Sequence, residues 1–342
     1  MVVYLIVIFA LFLCVMLSCV RMPISVKDIL YWTCAAGLII LSAIRDFSVG
    51  TDTLNYCWGY RYIRQLSFEE AMNFRWEQGY VAVNWLLGQV IENQRALLIL
   101  MALMILLPLF AWMKRESKWP ILSLVIFVGM GMWNSSMFIL RQWCAMSILT
   151  YSYKYIKERK FIRFLIVVLI AMLFHRTAAV FLLAYFVQDI PLNKNVILFS
   201  IPVSVVVGVF GGKILNILNH FARISEEKSF NGGGAMLAVL WLCIIAVLIC
   251  FKGKIPSELD FYTRFIYLAA LLQPIAFTFS NWARIITYFT VSLSVFLPGF
   301  VVELTGENTK NVKFRIPVGV LVCVLMLVWF RSVGADAYVF MK

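Results

Sequence analysis

Residues 96–112 read ALLILMALMILLPLFAW, seventeen consecutive residues without a charged side chain. Apolar runs of about 15–20 residues recur along the whole chain, and each is long enough, or nearly so, to cross a bilayer core of about 30 Å. Hydrophobic residues make up 63% of the sequence, whereas soluble domains contain about 45–50%. The runs do not alternate apolar and polar residues as the strands of a membrane β-barrel do. The sequence therefore predicts an all-α polytopic membrane protein.

Clusters of basic residues indicate which loops are cytoplasmic, because lysine and arginine concentrate on that side of the membrane. The clusters lie at residues 21–27, 114–118, 154–163, 252–254 and 310–315. Placing them all on one side, with a retained first span at residues 1–20, requires about 11–13 transmembrane helices and puts both termini outside. A set of charged residues then falls towards the outer face, which predicts an outward-facing polar cavity. The set consists of Arg45, Arg141, His175, Arg176 and Arg284.

Two stretches are predicted to cross the membrane incompletely. Residues 79–91 are apolar but short, which favours an interfacial or re-entrant helix. Residues 161–190 carry His175 and Arg176 at their midpoint, where a straight transmembrane helix would be costly, so two half-length helices bent outward are expected. We interpret the whole chain as a single transmembrane domain, within which residues 213–234 form an external loop or lid.

The longest polar interval is Ile44–Tyr80, which reads IRDFSVGTDTLNYCWGYRYIRQLSFEEAMNFRWEQGY. Its positive and negative charges nearly cancel, and aromatic residues lie among them. Short cytoplasmic loops have an excess of lysine and arginine instead. We therefore interpret residues 45–80 as a long external loop that forms a binding surface at the mouth of the protein.

Composition also excludes several classes of function. The net charge of +13 does not indicate nucleic-acid binding, because most lysines lie in short loops, where they set topology. The eight cysteines are scattered and only Cys57 lies in the long loop, so no disulfide framework is expected. Neither His175 nor His220 has a cysteine or histidine at the spacing of a metal site. No metal and no cofactor are expected.

Charged residues near apolar segments are the candidates for chemistry. A guanidinium at membrane depth costs about 2.5–3.5 kcal/mol on insertion scales, so Arg141 is expected to face a cavity or a partner. The alternative is an arginine that reaches the interface or pairs with a structural acid. Arg284 begins a span, with Tyr288 one turn later on the same side; the alternative is a boundary anchor. The planar fork of arginine suits a diphosphate, and a diphosphate leaving group needs such neutralisation.

Short motifs occur in a fixed order between residues 45 and 289. They are Arg45 with Gly50-Thr51-Asp52 and Tyr56; Glu77-Gln78-Gly79-Tyr80; Leu140-Arg141-Gln142; Ala171–His175 with Thr177-Ala178; and Arg284-Ile285 with Tyr288-Phe289. In this order they resemble the EpsG family of polysaccharide polymerases, the Wzy-type membrane glycosyltransferases. The chain departs from the resemblance at Arg176, where a small or apolar residue is expected.

The resemblance implies a substrate and a reaction. The substrate is an undecaprenyl-diphosphate-linked oligosaccharide repeat unit on the external face of the bacterial inner membrane. The growing chain of an O-antigen or exopolysaccharide is transferred to the non-reducing end of a new unit, without a metal, and polyprenyl diphosphate leaves. Membrane lipid is a further partner, and a chain-length regulator and a flippase are candidate partners.

The resemblance also implies roles for residues. Arg141 and Arg284, with Arg45, bind the diphosphate of the donor. The general base is Asp52, Glu77 or His175, and these alternatives stay open. The predicted substrate-binding residues are Arg45, Tyr56, Arg176 and Tyr288, of which Arg176 is a candidate from its place beside His175 and not from the resemblance. Aromatic rings between Tyr56 and Tyr62 are expected to stack on sugars.

Three other classes of function are compatible with parts of the sequence. A transporter or flippase would also have broken helices and intramembrane charges, but many such folds are built from internal repeats, and none is found. An O-antigen ligase-type transferase would use the same chemistry on a different acceptor. A membrane acyltransferase would use His175, but the arginine set would then have no purpose.

Overall fold

Apolar stretches form the helices of the computed structural model, which describes residues 2–20, 22–204, 206, 210, 233–252, 254–277, 282–305, 312–333 and 338–340. In these ranges the regular structure is helical, and an isolated antiparallel bridge joins Arg45 to Phe340. The chain divides into two compact units. The first contains Met1–Ala179 and Leu297–Lys342, and the second contains Val180–Phe296.

The α-helices are named in chain order. They are α1 (Val2–Ser18), α2 (Ile24–Ala43), α3 (Thr53–Ile63), α4 (Phe68–Met72), α5 (Gln78–Val90), α6 (Arg95–Glu116), α7 (Pro120–Gly129), α8 (Met132–Ser136), α9 (Leu140–Leu149), α10 (Tyr153–Lys157), α11 (Phe161–Met172), α12 (Lys194–Ser204), α13 (Gly233–Phe251), α14 (Ser257–Leu272), α15 (Trp282–Thr290), α16 (Leu293–Thr305) and α17 (Val312–Val333). Two 3₁₀ helices, Arg176–Asp189 and Gln273–Phe277, complete the set in the described ranges.

Several of these helices have the length and composition of membrane spans. Among the described residues, α2, α6 and residues 234–251 of α13 qualify, and a fourth span is present if the bent pair of α15 and α16 counts as one. Shorter apolar helices are α1, α7, α11, α12 and residues 316–330 of α17. The prediction of an all-α polytopic membrane protein is therefore confirmed. The number of 11–13 crossings stays a prediction.

The apolar run at residues 96–112 forms most of α6, which contains Pro108. Proline has no N–H, so the carbonyl of Met104 loses its partner one turn earlier. The Ser147 hydroxyl on α9 donates to that carbonyl at 2.8 Å. Inside a membrane such a replacement is needed, because no water is available to satisfy a free carbonyl. This hydrogen bond joins α9 to α6 at the turn that the proline interrupts.

The polar interval at residues 45–80, predicted as a long loop, contains the helices α3 and α4. Ser67 begins α4 with a capping box: its hydroxyl accepts from the backbone N–H of Glu70, and the Glu70 carboxylate accepts from the Ser67 N–H. This arrangement satisfies two N–H groups that a helix start leaves unpaired. Both α3 and α4 pack against α5, which corresponds to the short apolar stretch at residues 79–91.

Two expected irregularities are present in altered form. The chain breaks after α11, as predicted, but the piece that follows is the 3₁₀ helix Arg176–Asp189. Asn134 and Ser135, two polar residues between the apolar stretches at 119–133 and 136–153 that predict an outer turn, form the short helix α8. There the buried Asn134 side chain accepts a hydrogen bond of 2.6 Å from the Tyr4 hydroxyl. This bond satisfies the amide oxygen, as a buried polar group requires.

The second unit contains α12, α13, α14 and α15, and α14 packs against α13 and α15. Arg264 on α14 forms an ion pair of 2.7 Å with Asp260 one turn earlier and donates to backbone carbonyls of the 188–190 segment. Most of the predicted lid at residues 213–234 lies outside the described residues. Its last two residues belong to α13.

Candidate functional site

The site is built around the carboxylate of Glu77, which is the N-cap residue of α5. The Arg141 guanidinium, at the start of α9, donates from Nη1 to Glu77 Oε2 at 2.5 Å. The side chains of Glu77 and Arg141 are 9% and 24% exposed. Removal of either partner of a shielded pair is strongly destabilising, because it leaves an uncompensated charge away from water.

The second carboxylate oxygen of Glu77 binds the segment that follows α11. His175 Nδ1 lies 3.1 Å from Oε1, and the backbone N–H of Arg176 donates to the same oxygen at 3.2 Å. In return, the N–H groups of Gly79 and Tyr80 donate to the carbonyl of Leu173 at 2.8 and 3.3 Å. The break after α11 is thereby docked on the first turn of α5.

Gly79 is required for this docking. A Cβ atom at position 79 would lie 2.8 Å from both the Cβ and the carbonyl oxygen of Leu173. Backbone atoms cannot move aside as the end of a long side chain can. The glycine of the Glu77-Gln78-Gly79-Tyr80 motif therefore permits the close approach of two main-chain segments.

The environment of Glu77 keeps its carboxylate charged. Burial by itself would raise the pKa of Glu77, because a low-dielectric surrounding disfavours the charged form. The hydrogen bond from His175 and the positive charge of Arg141 outweigh burial and lower the pKa to about 2. At neutral pH this carboxylate is an anion that binds protons weakly.

Trp76, next to Glu77, is the centre of an aromatic cluster. Its ring centroid lies 5.0 Å from that of Phe74, 5.4 Å from that of Tyr56 and 5.5 Å from that of Tyr80. The Arg141 guanidinium lies 5.7 Å from the Trp76 ring centroid, within the range of a cation–π interaction. Arginine is therefore held by a carboxylate and an aromatic ring together.

An open cavity of about 330 Å³ lies beside this cluster, and we call it the arginine cavity. Its lining consists of Asp52, Asn55, Tyr56, Arg75, Trp76 and Arg141. Tyr56 and Arg141 lie close enough to interact, and both line this cavity. The cavity thus holds two guanidinium groups and one carboxylate, a combination suited to an anionic ligand that also needs a proton acceptor.

Asp52 differs from Glu77 in its surroundings. It is the N-cap residue of α3, but its side chain caps no N–H of that helix. Among the described residues, no hydrogen bond or ion pair to the Asp52 carboxylate is present. Asp52 therefore lines the cavity with a carboxylate that the described protein groups do not engage.

A second open cavity, of about 280 Å³, lies against the Glu77 network. Its lining consists of Met72, Phe74, Trp76, Glu77, Gln78, Met172, Leu173 and Arg176. Trp76 lines both cavities. The exposed Arg176 reaches this second cavity, although its position in the sequence departs from the motif.

The structure brings together a large part of the predicted site within the first unit. Asp52, Tyr56 and Arg141 line the arginine cavity, and Glu77 joins Arg141 to His175 and Arg176. Arg284 and Tyr288 lie on α15 in the second unit, and their roles stay predictions.

Arg45 has a different environment. It is 1% exposed and lines neither cavity. Its guanidinium donates to the backbone carbonyls of Ser42 and Met137, the latter at 2.6 Å. Arg95 Nη1 donates to the carbonyl of Arg45 at 2.9 Å. These bonds tie the end of α2 to other segments, and a part in substrate binding stays a prediction.

Sequence reasoning missed Arg75, Trp76 and Asn55 as lining residues. Arg75 and Trp76 immediately precede the Glu77 motif, so adjacency was the available signal. Of the rings expected to stack on sugars, Trp58 and Tyr62 stack on each other at 5.5 Å between centroids. They are 54% and 44% exposed and do not line the arginine cavity.

Within the described part of the chain, no group of three or more His, Cys, Asp or Glu residues could hold a metal ion. The absence of a metal requirement remains a prediction.

Fold and site together define a multi-pass, all-α membrane protein with a cationic, aromatic-walled cavity. The family model of EpsG matches residues 28–340, nearly the whole chain, and the protein belongs to the EpsG family. This family is associated with Wzy-type polymerases, so membership supports a general role in polysaccharide biosynthesis of the polymerase type. No curated protein and no solved structure matches the chain.

Proposed function

We propose that the protein is a membrane glycosyltransferase that polymerises polyprenyl-diphosphate-linked oligosaccharide repeat units in the manner of a Wzy-like polymerase. Family membership supports the class of reaction. The observation that carries the proposal is the arginine cavity, whose lining includes Arg75, Arg141 and Asp52. The reaction needs cations for a diphosphate leaving group and a base for an acceptor hydroxyl, and one cavity offers both.

The guanidinium groups bind the diphosphate of the donor lipid. Their planar N–H donors match phosphate oxygens, and each arginine stays positively charged at any physiological pH. When the bond between the anomeric carbon and the diphosphate oxygen breaks, its electron pair goes to that oxygen. The negative charge that develops on the leaving polyprenyl diphosphate is stabilised by Arg75 and Arg141.

Asp52 is the general base in this scheme. It accepts the proton of the acceptor hydroxyl at the non-reducing end of a second lipid-linked unit. The hydroxyl oxygen then forms the new bond to the anomeric carbon as the diphosphate leaves. Asp52 suits this role because it lines the same cavity as both arginines, and the described protein groups leave its oxygens unbound.

The setting follows from the substrate. Apolar helices accommodate isoprenoid tails in the bilayer, and the polar cavity accommodates the headgroup and the sugars. The proposed location is the bacterial inner membrane with the cavity on its external side. A flippase that delivers repeat units and a chain-length regulator are the proposed protein partners.

The direct test is incubation of the purified protein in lipid nanodiscs with lipid-linked repeat units. The units are extracted from a strain that lacks this protein and therefore accumulates them unpolymerised. A ladder of products that differ by one repeat unit is expected. Transfer of a single unit to a different lipid acceptor would indicate a ligase instead. Movement of the intact lipid across the bilayer without a new bond would indicate a flippase.

A further inference from the structure

We infer that Glu77 is a positioning residue, whose carboxylate holds the Arg141 guanidinium at the arginine cavity, and that it is not the general base. The inference rests on the proposed function and assigns a role to one of three acids and bases that the sequence leaves equivalent. The observation behind it is that both carboxylate oxygens of Glu77 are already engaged by protein donors.

A general base must offer a lone pair to the hydroxyl that it deprotonates. Glu77 Oε2 accepts from Arg141, and Oε1 accepts from the backbone of Arg176 and lies in hydrogen-bond contact with His175. The low pKa of Glu77, about 2, agrees with this crowding, because a carboxylate that accepts several hydrogen bonds binds a proton weakly. Asp52 has none of these described partners.

The same contacts explain how Glu77 acts on Arg141. Glu77 is fixed at the start of α5, and the donors that hold it come from segments 64 and 98 residues further along the chain. One end of the Arg141 guanidinium is thereby fixed, and the rest of it lies near the Trp76 ring and the Tyr56 hydroxyl. These are walls of the arginine cavity. Glu77 thus sets the direction in which the cation faces a ligand.

Glu77→Gln is the informative substitution, because it keeps the size of the side chain. An amide has one acceptor oxygen and one NH₂ group, which only donates. Whichever way the amide is oriented, its NH₂ faces either Arg141 or the donors of the 175–176 segment. In either orientation the side chain loses the negative charge that attracts the guanidinium, and in one of them it also loses the hydrogen bond from Arg141, so the guanidinium is held less firmly although the volume is unchanged.

Glu77 also partly neutralises Arg141, and this alone would weaken the attraction of the guanidinium for a diphosphate. If Glu77 only competed with a diphosphate for the guanidinium, its removal would tighten binding. If Glu77 holds the guanidinium in place, its removal weakens binding. The sign of the change in affinity therefore separates competition from positioning.

The experiment measures binding of undecaprenyl diphosphate to the full-length protein in nanodiscs. Five proteins are compared: wild type, Glu77→Gln, Arg141→Gln, the double variant, and Glu69→Gln as a matched control at an exposed position of α4. We expect Glu77→Gln to weaken binding about tenfold in the wild-type background. In the Arg141→Gln background the same change is expected to alter binding less than twofold, because its effect passes through Arg141. Glu69→Gln should bind as wild type does.

Three results would overturn the inference alone: unchanged binding by Glu77→Gln, tighter binding, or an equal loss in both backgrounds. The last result would show a general structural defect rather than an effect through Arg141. A wild-type protein that does not bind undecaprenyl diphosphate would overturn the proposed function and this inference together.

Discussion

Arg141 Nη1 lies 2.5 Å from Glu77 Oε2, although 64 residues separate the two in the sequence. This contact joins the start of α9 to the start of α5, beside the cavity that also contains Asp52. An arginine in an apolar segment is costly unless it has such a partner. Here the partner leaves the guanidinium at the cavity wall, where a ligand can reach it.

Asp52→Asn is expected to abolish polymer formation and to leave lipid binding intact. Loss of a general base lowers rates by about 10²–10⁴-fold. Product ladders measure the rate, and undecaprenyl diphosphate binding in nanodiscs measures the affinity. Asp46→Asn is the matched control, because Asp46 lines neither cavity. Polymer formation within a few-fold of wild type in Asp52→Asn would show that another group is the base.

Arg141→Ala is expected to stop polymerisation, so that single repeat units remain on the acceptor lipid. Arg75→Ala is expected to act in the same direction, because both guanidinium groups line the arginine cavity. Arg284→Ala carries the same expectation from the sequence motifs. Arg61→Ala, an exposed arginine on α3, is the control. Long chains of normal abundance from Arg141→Ala would contradict its role in binding the diphosphate.

Gly59→Ala is expected to displace Trp76. A Cβ atom at position 59 would lie 2.0 Å from the Trp76 ring, and overpacking of this kind costs about 1–3 kcal/mol. Both the melting temperature and polymer formation should fall. Gly37→Ala is the matched control, because no atom lies within 4 Å of a Cβ placed there. If the two variants lose equal activity, displacement of Trp76 is not the cause.

The Glu77 network is expected to lose stability in acid. The pKa of Glu77 is about 2 in the folded protein and about 4.5 ordinarily, so its contribution is complete above pH 4.5 and disappears as the pH falls towards 2. The difference corresponds to a free energy on the order of 3 kcal/mol. Thermal unfolding of wild type and Glu77→Gln in detergent measures it. The gap in melting temperature should be largest at neutral pH, smaller at pH 3 and closed only as the pH approaches 2; a gap independent of pH would contradict the assignment.

Chelation with EDTA is expected to leave turnover unchanged, because the guanidinium groups neutralise the diphosphate. The rate of ladder formation is measured before and after chelation and after magnesium is restored. Inactivation by EDTA, followed by recovery with Mg²⁺, would mean that the arginines do not replace a metal at the leaving group.

Several features could be read from the sequence because they depend on local composition. The run at residues 96–112 is too apolar for a loop, and it forms α6. The pair His175-Arg176 is too polar for an uninterrupted span, and the chain breaks there. Arg141 was identified for a similar reason, since a charged group in an apolar segment needs a partner.

Other features depend on distant contacts and were not predictable. The sequence could not distinguish Asp52, Glu77 and His175 as bases, because each is a titratable group in a motif. Arg45 ends a span as Arg141 begins a helix, yet Arg45 is buried among backbone carbonyls. Nothing in the order of residues indicates which arginine meets a carboxylate.

The sequence by itself determined that this protein is a helical membrane protein of the EpsG family, because hydrophobic length, loop charge and motif order are properties of the chain alone. Tertiary structure alone decided which polar groups share a cavity. Glu77 contacts residues that lie 64 and 98 positions later in the sequence. These groups meet only because α5, α9 and the break after α11 pack together. The carboxylate of Glu77 is therefore paired with Arg141, while Asp52 lines the arginine cavity.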